Sequence, residues 1–341
     1  MGFGSLIFIG IAVLIAILGY LITPDPTPYA NDQCLELGTK KPGFRVQVLL
    51  VKRTGESIRN NFLNTMINGK KSEFSSIPVN NYKIKNDSLY YEEYADPPAK
   101  HPIQKSCPLS SVKGPITRTY LLGTDRFGRD YLSQLMIGTR VSLSVGFISV
   151  FISLVIGIFL GAIGGYFRGW IDNIVVWFIN VVWSIPTLLL VIAITFALGK
   201  GFWQVFVAVG LTMWVEVARV VRGQILAIRE KEFVEAGRAL GFSNFRIIFY
   251  HILPNVMSVV IVIAAANFAS AILLEAGLSF LGVGVQPPMP SWGSMIKENY
   301  GYIILDSAYL AILPGIAIML MVLAFMLAGN ALRDALDVKT S

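Results

Sequence analysis

The sequence predicts an all-α polytopic membrane protein. Six transmembrane helices are expected, with a small α+β domain inserted between the first and second. Three observations carry this. Hydrophobic residues make up 54% of the 341 positions and charged residues only 14%, with a mean hydropathy of +0.62; a soluble domain carries about a quarter charged residues. Six long apolar runs are each sufficient to span a bilayer. The formal charge is +7, and residues 24–119, with 14 Lys and Arg against 9 Asp and Glu, hold five of those seven charges in one polar block. No basic helix with base-reading residues and no stacking module accompanies that charge, so nucleic-acid binding is not expected.

The first run, Ser5 to Ile22, has no basic leader and is closed by Thr23-Pro24-Asp25-Pro26. Residues 1–23 are read as an uncleaved anchor helix. Residues 24–119 form the insert. Within it, Phe44 to Lys52 places Phe44, Val46, Val48 and Leu50 on one strand face. Glu56 to Asn68 has helical spacing with Gly69 as terminator, and Tyr82 to Tyr91 reads as a hairpin turning at Asn86-Asp87. The folded part is expected over residues 40–95, followed by a proline-rich return through Pro97, Pro98, Pro102, Pro108 and Pro115. Cys34 and Cys107 both lie in the insert. A disulfide is open to them if the insert is extracytoplasmic, and free thiols are the alternative. Two cysteines and two scattered histidines, His101 and His251, build no metal cluster.

Residues 120–140 read as an interfacial amphipathic segment, with Asp125 capping a helix and Arg126, Arg129 and Arg140 at headgroup level. Residues 141–330 form a five-helix core. The second span, Val141 to Gly165, carries Gly157, Gly161 and Gly165 on one face, a surface for a neighbouring helix. The third, Asn173 to Leu198, is kinked by Pro186. The fourth, Phe202 to Val221, continues as a helix to Glu230, and Glu216 is expected to pair with Arg219 or Arg222. Residues 222–255 are too polar for lipid. Two short amphipathic helices are expected there, turning at Gly241, the second capped by Ser243 and ended by Pro254. The fifth span, Val256 to Phe280, contains Asn267 and Glu275; a rigid Pro-Gly turn follows, with Trp292 at the interface. The sixth is Tyr309 to Leu327, and residues 331–341 form a polar tail. Six spans put both termini on one side. Placing them in the cytoplasm gives inner loops holding Arg168, Arg222, Arg229, Lys231, Arg238 and Arg246, against Lys200 and Lys297 outside.

Four motifs carry a resemblance. Glu235-Ala236-Gly237, three residues, Gly241, nine residues, then His251-Ile252-Leu253-Pro254, with Arg246 between, resembles the coupling loop of bacterial ABC importer permeases. His251 stands where the family usually has Ile, and is a form associated with its peptide-transport branch. Gly123-Thr124-Asp125 with Gly128-Arg129-Asp130 resembles the segment before the second span of dipeptide and oligopeptide permeases of the C type. The run from Glu275, then Pro287-Pro288 and Trp292, resembles the same subunit, as does the Leu-Arg-Asp-x-Leu-Asp ending at 332–337. The resemblance implies the type I ABC importer permease fold in a bacterial inner membrane, and a substrate that is a di- or oligopeptide or, in related permeases, nickel. It implies a second homologous permease, two ATP-binding subunits carrying ATP and Mg, and an extracytoplasmic substrate-binding protein. It implies no cofactor on this chain. Residues 24–119 are longer than the family's usual connection.

The chain contains no G-x-x-x-x-G-K-[ST] loop and no nucleophile triad on one element, so it is expected to be a transport subunit, not an enzyme. Two other classes compete. An ion-coupled transporter would require mid-membrane acids or paired half-helices. A membrane anchor for the external domain would have no need of the loop at 235–255.

Overall fold

The computed structural model describes residues 2–53, 61–97, 104–199 and 201–336. They divide into two compact units: residues 1–12, 142–286 and 315–341, and residues 13–141 and 287–314.

The first unit is helical. Among the described residues five helices are long and apolar enough to cross a membrane: α1 (Gly2–Ile22), α3 (Tyr131–Phe167), α6 (Phe202–Ile228), α8 (Asn244–Phe280) and α10 (Tyr309–Leu336), of which α1, α3 and α10 also continue into the second unit. A sixth span exists if α4 (Gly169–Trp183) and α5 (Thr187–Leu198) count as one, but these meet at 92°. The expected kink at Pro186 is therefore a break. Pro186 has no N–H for the preceding turn and disfavours helical backbone at Ile185; Ser184 closes α4 through its N–H to Asn180 O at 3.0 Å.

Gly157, Gly161 and Gly165 do form a seam, and α6 is what it meets. A Cβ at Gly161 would lie 2.6 Å from Ala218 O, and one at Gly157 would lie 2.5 Å from Val217 Cβ. Lipid offers no hydrophobic drive between helices, so close backbone approach over small residues supplies the packing. Ser149 Oγ adds a hydrogen bond to Phe206 O at 3.0 Å across the same pair. The expected pairing of Glu216 is not found. Arg222 forks onto Asp172 at 2.5 and 2.7 Å, Arg219 stacks over the Trp183 ring at 3.3 Å, and Glu216 is exposed without an ion pair among the described residues.

The second unit is built on a five-stranded antiparallel sheet. Its strands are β1 (Phe44–Lys52), β2 (Phe74–Lys85), β3 (Ser88–Glu93), β4 (Gln104–Pro108) and β5 (Val112–Tyr120), in the order β4-β3-β2-β1-β5. Strand β1 lies where its alternation places it. Val46 and Val48 pack with Cys34, Leu37 and Tyr120, while Leu49 turns to the opposite face with Val79, Leu89 and Tyr91. The β2–β3 hairpin turns at Asn86 (φ 48°) and Asp87 (φ 59°), two left-handed residues as a tight two-residue hairpin requires. Helix α2 (Phe62–Asn68) ends at Gly69 (φ 82°); the expected start at Glu56 lies outside the described residues, as do Pro98, Pro102 and His101.

The sheet runs past the expected limit at residue 95. The proline-rich return supplies β4 and β5, and both are edge strands, where a residue lacking an N–H is tolerated. Residues 120–140 are not a separate interfacial helix. Residues 121–130 form a loop and α3 then starts at Tyr131, capped by Asp130 rather than Asp125: Ser133 N donates to Asp130 Oδ2 at 2.8 Å. Likewise α10 carries the chain to Leu336, where a polar tail was expected from residue 331.

Cys34 and Cys107 are free thiols in separate clusters on the two faces of the sheet. Burial pushes the Cys34 thiol up to about 12 from an ordinary 9.0. Alkylating reagents at pH 8 are expected to label Cys34 only after denaturation, and reduction is expected to leave gel mobility unchanged. The thiol's contribution to stability is complete below pH 9 and falls as the pH rises towards 12, because the unfolded chain ionises first. Stoichiometric labelling of Cys34 in the folded protein would contradict this packing.

Candidate functional site: the loop between α6 and α8

Helix α7 (Glu232–Ala239) follows α6 and ends in a Schellman motif. Phe242 N–H donates to Gly237 O at 3.0 Å and Gly241 N–H to Arg238 O at 2.9 Å, with Gly241 at φ 75°. Ser243 then caps α8, its Oγ accepting from Arg246 N at 3.4 Å. Pro254 does not end this second helix. Ile247 to Ile252 form a π turn, and α8 continues through Pro254 to Phe280. The wider turn accommodates a proline that lacks an N–H, and Asn255 Nδ2 donates to His251 O at 2.6 Å.

One side of the loop is sealed to the helical unit. Val234, Ile247, Ile248 and Ile252 pack among Val217, Val221, Ile225 and Val256. Tyr166 of α3 donates its hydroxyl to Asn244 Oδ1 at 2.8 Å, and Arg238 sits over the Tyr166 ring at 5.4 Å. His251 stacks on Phe242, ring planes 8° apart and centroids at 5.6 Å, and Arg246 covers the same phenyl ring at 4.0 Å. His251 Nε2 is buried with no hydrogen-bond partner among the described residues. Its ring acts as a flat packing surface. Gly237 is buried, where Phe242 crosses it, and Leu253 is half-buried.

The other side is open and apolar. Leu240 (71%), Phe245 (64%) and Tyr250 (72%) are the most exposed, Phe249 and Phe233 are exposed as well, and the Phe245 and Phe249 rings lie 4.4 Å apart. Glu235, Ala236, Arg238 and Arg246 are exposed around this patch. Exposed apolar patches rimmed by polar residues mark protein–protein or membrane interaction sites. The motif residues Glu235, Gly241 and Arg246 thus frame a surface whose apolar members the motif does not contain. The signal available for them was the density of Phe, Leu and Tyr in a segment too polar to enter lipid.

The remaining motif residues do not join this site. Gly123 (φ 75°) and Gly128 (φ 69°) sit where a Cβ would strike Lys40 O and Cys34 O. Between them Asp125 accepts from Phe127 N and Arg129 N at 2.9 Å each, and Arg129 Nη2 reaches Glu298 Oε2 at 2.9 Å. Arg129 is therefore a buried tie, not a headgroup contact. Pro287 and Pro288 are exposed in the turn before α9 (Trp292–Asn299). Trp292 is buried, not interfacial, with its Nε1 donating to Leu135 O at 3.1 Å. Glu275, in the helical unit, is buried and accepts from Ser279 Oγ at 2.7 Å and Ser142 Oγ at 3.3 Å.

Residues 153–341 match the family described as binding-protein-dependent transport system inner membrane component. A glutathione transport system permease protein of Pectobacterium atrosepticum is 40% identical over 227 residues, 67% of this chain and 75% of that protein. A dipeptide transport system permease protein of Alkalihalophilus pseudofirmus is 40% identical over 232 residues, 68% and 76% of the two chains. An oligopeptide transport system permease protein of Haemophilus influenzae is 40% identical over 220 residues, 64% and 70% of the two chains. An inward-facing methionine ABC transporter structure matches with a TM-score of 0.50 at 22% identity, over 60% of this chain and 96% of that one, a likeness of fold. The family match covers more than half the chain and two of these relatives are matched over two thirds of it, so this chain belongs to the inner membrane components of binding-protein-dependent transport systems: it is a multi-pass permease subunit of an ABC importer, not an ATPase.

Proposed function

We propose that the chain is the C-type permease of an ATP-driven di- or oligopeptide importer, and that the loop from Glu235 to Asn255 docks on a cytoplasmic ATPase subunit. The observation that carries the docking is the exposed patch of Leu240, Phe245 and Tyr250 on a loop sealed to α6 and α8 by its other side. The peptide class rests on the names of the relatives, which transport glutathione, dipeptides and oligopeptides. A second permease would complete the pathway, two ATPases would carry ATP and Mg, and an external binding protein would deliver solute. The charge bias of the short loops supports cytoplasmic termini and an extracytoplasmic sheet unit.

The test is co-purification of tagged wild type and of the double variant Leu240→Asp, Phe245→Asp from native membranes, with peptide uptake measured in cells. Wild type is expected to bring the ATPases and a related permease. The variant is expected to insert normally, lose the ATPases and fall at least about thirtyfold in uptake, the effect of removing one 2 kcal/mol hot spot. Normal uptake with full ATPase recovery in the variant would sink the docking surface. Gly241→Val is a weaker probe: its Cβ meets nothing within 4 Å, so it costs only the left-handed backbone strain of about 1–2 kcal/mol.

A further inference from the structure

Helices α8 and α10 pack in opposite directions within the helical unit. The Phe268 ring stacks on the Phe325 ring, centroids 4.0 Å apart, and a Cβ at Gly329 would lie 3.1 Å from Ala265 Cβ. Beyond that contact the pair leaves a groove of about 390 Å³, lined by Ser258, Val259, Val262, Arg333 and Leu336. Three of these are apolar, and among the described residues no acid lines the groove. Asp334, next to Arg333, is exposed and is not part of it.

The two polar members are hydrogen-bond donors that the chain leaves unused. Other span hydroxyls are spent on backbone, Ser153 on Val150 O at 2.9 Å and Thr195 on Val191 O at 2.8 Å. The Ser258 hydroxyl and the Arg333 guanidinium make no hydrogen bond or ion pair among the described residues. A guanidinium has five donors and no acceptor, and its best partners are carboxylates and phosphates.

Arg333 is the first charge in α10, after the apolar run from Tyr309, and Ser258 stands at the start of the apolar run of α8, just past the polar loop. The start of α1 meets the same end of α10, where a Cβ at Gly2 would lie 2.2 Å from Ala331 Cβ. Three span ends gather here, so the groove lies at the level where hydrocarbon gives way to headgroups. Its occupant needs an anionic head for Arg333 and Ser258 and an apolar extension for Val259, Val262 and Leu336.

We infer that the groove holds an anionic phospholipid, its phosphate against Arg333 and Ser258 and an acyl chain along Val259 and Val262. Basic pockets between spans are suited to such headgroups.

The test uses the full chain, extracted from its native membrane with the subunits that accompany it and placed in nanodiscs. The discs carry a phosphatidylglycerol with a diazirine in its acyl chain, or the matching phosphatidylcholine, and labelled peptides are mapped by mass spectrometry after illumination. Peptides containing Val259 and Val262 are expected to take up the anionic lipid about fivefold more than the zwitterionic one, the preference that one arginine gives near a membrane surface. Arg333→Gln is expected to remove that preference and Arg333→Lys to keep most of it. The exposed face of α1, a helix without a charged residue, is expected to label equally with both lipids. Equal labelling of the groove by the two lipids in wild type overturns the inference, as does an unchanged preference in Arg333→Gln. Loss of the preference in excess inorganic phosphate would make the groove a site for a free anion. A preference that emerges only after removal of residues 337–341, or only in the chain stripped of its partner subunits, would give the groove to the tail or to a subunit contact instead.

Discussion

Gly161→Leu is expected to disrupt the helical unit. The first added carbon alone would lie 2.6 Å from Ala218 O, 2.9 Å from Val221 Cβ and 3.1 Å from Arg222 N. Two of these are backbone atoms of α6, which cannot rotate away as a side chain end can. Three further carbons then need space between helices already in contact at Gly157 and Gly165. Overpacking of this kind costs about 1–3 kcal/mol in cores that can relax, and more where a helix must move. The gain in helix propensity from replacing glycine, about 1 kcal/mol or less, does not offset it. Size-exclusion profiles of detergent extracts after heating should show Gly161→Leu aggregating several degrees below wild type, with much less monodisperse protein. Gly223→Leu is the control, because a Cβ there meets nothing within 4 Å. Equal midpoints for both variants would mean that the α3–α6 seam is not as close as described.

Arg129→Leu should be nearly as damaging in the sheet unit. Arg129 is 6% exposed and ties two acids, Asp125 at 2.6 Å and Glu298 at 2.9 Å. Asp125 is itself buried and holds the loop at 125–129 by accepting backbone N–H groups. Removing the guanidinium leaves both carboxylates without their cation, and breaking a buried pair from one side costs about 3–5 kcal/mol. The double variant Arg129→Leu, Asp125→Asn should recover part of that loss, since it removes one of the stranded charges. Thermal unfolding followed by limited proteolysis of the sheet unit gives the readout. A loss under about 1 kcal/mol for Arg129→Leu would show that water reaches these acids and that the tie is a surface pair.

What could be read from the sequence was local and periodic. The alternation from Phe44 to Lys52 gave its strand, Asn86-Asp87 the hairpin, the four-residue glycine spacing a helix seam, and Ser243 its cap. Proline misled twice, in opposite ways. A proline-rich return reads as irregular chain, although Pro108 and Pro115 lie in the two edge strands, and Pro254 reads as a helix end, although a π turn carries the helix through it. Pairings distant in sequence were not legible at all. Arg222 was near Glu216 in sequence, but its partner Asp172 comes from α4, and Arg129 finds Glu298 from α9. At the loop the spacing of Glu235, Gly241 and Arg246 is visible in the sequence, whereas which apolar residues stay exposed depends on which side of each helix is already covered.

The π turn at Ile247–Ile252 has a mechanical consequence. Because it lets the helix pass Pro254, residues 244–280 run as one continuous helix, about 55 Å long at 1.5 Å per residue. Tilting it by about ten degrees about its Ser243 end carries the Phe280 end sideways by roughly 10 Å, on that same length. On the docking proposed above, displacement of the Leu240–Phe245 surface would be carried along this helix, and the break at Ser184–Pro186 is a second place where the helical unit departs from a straight span.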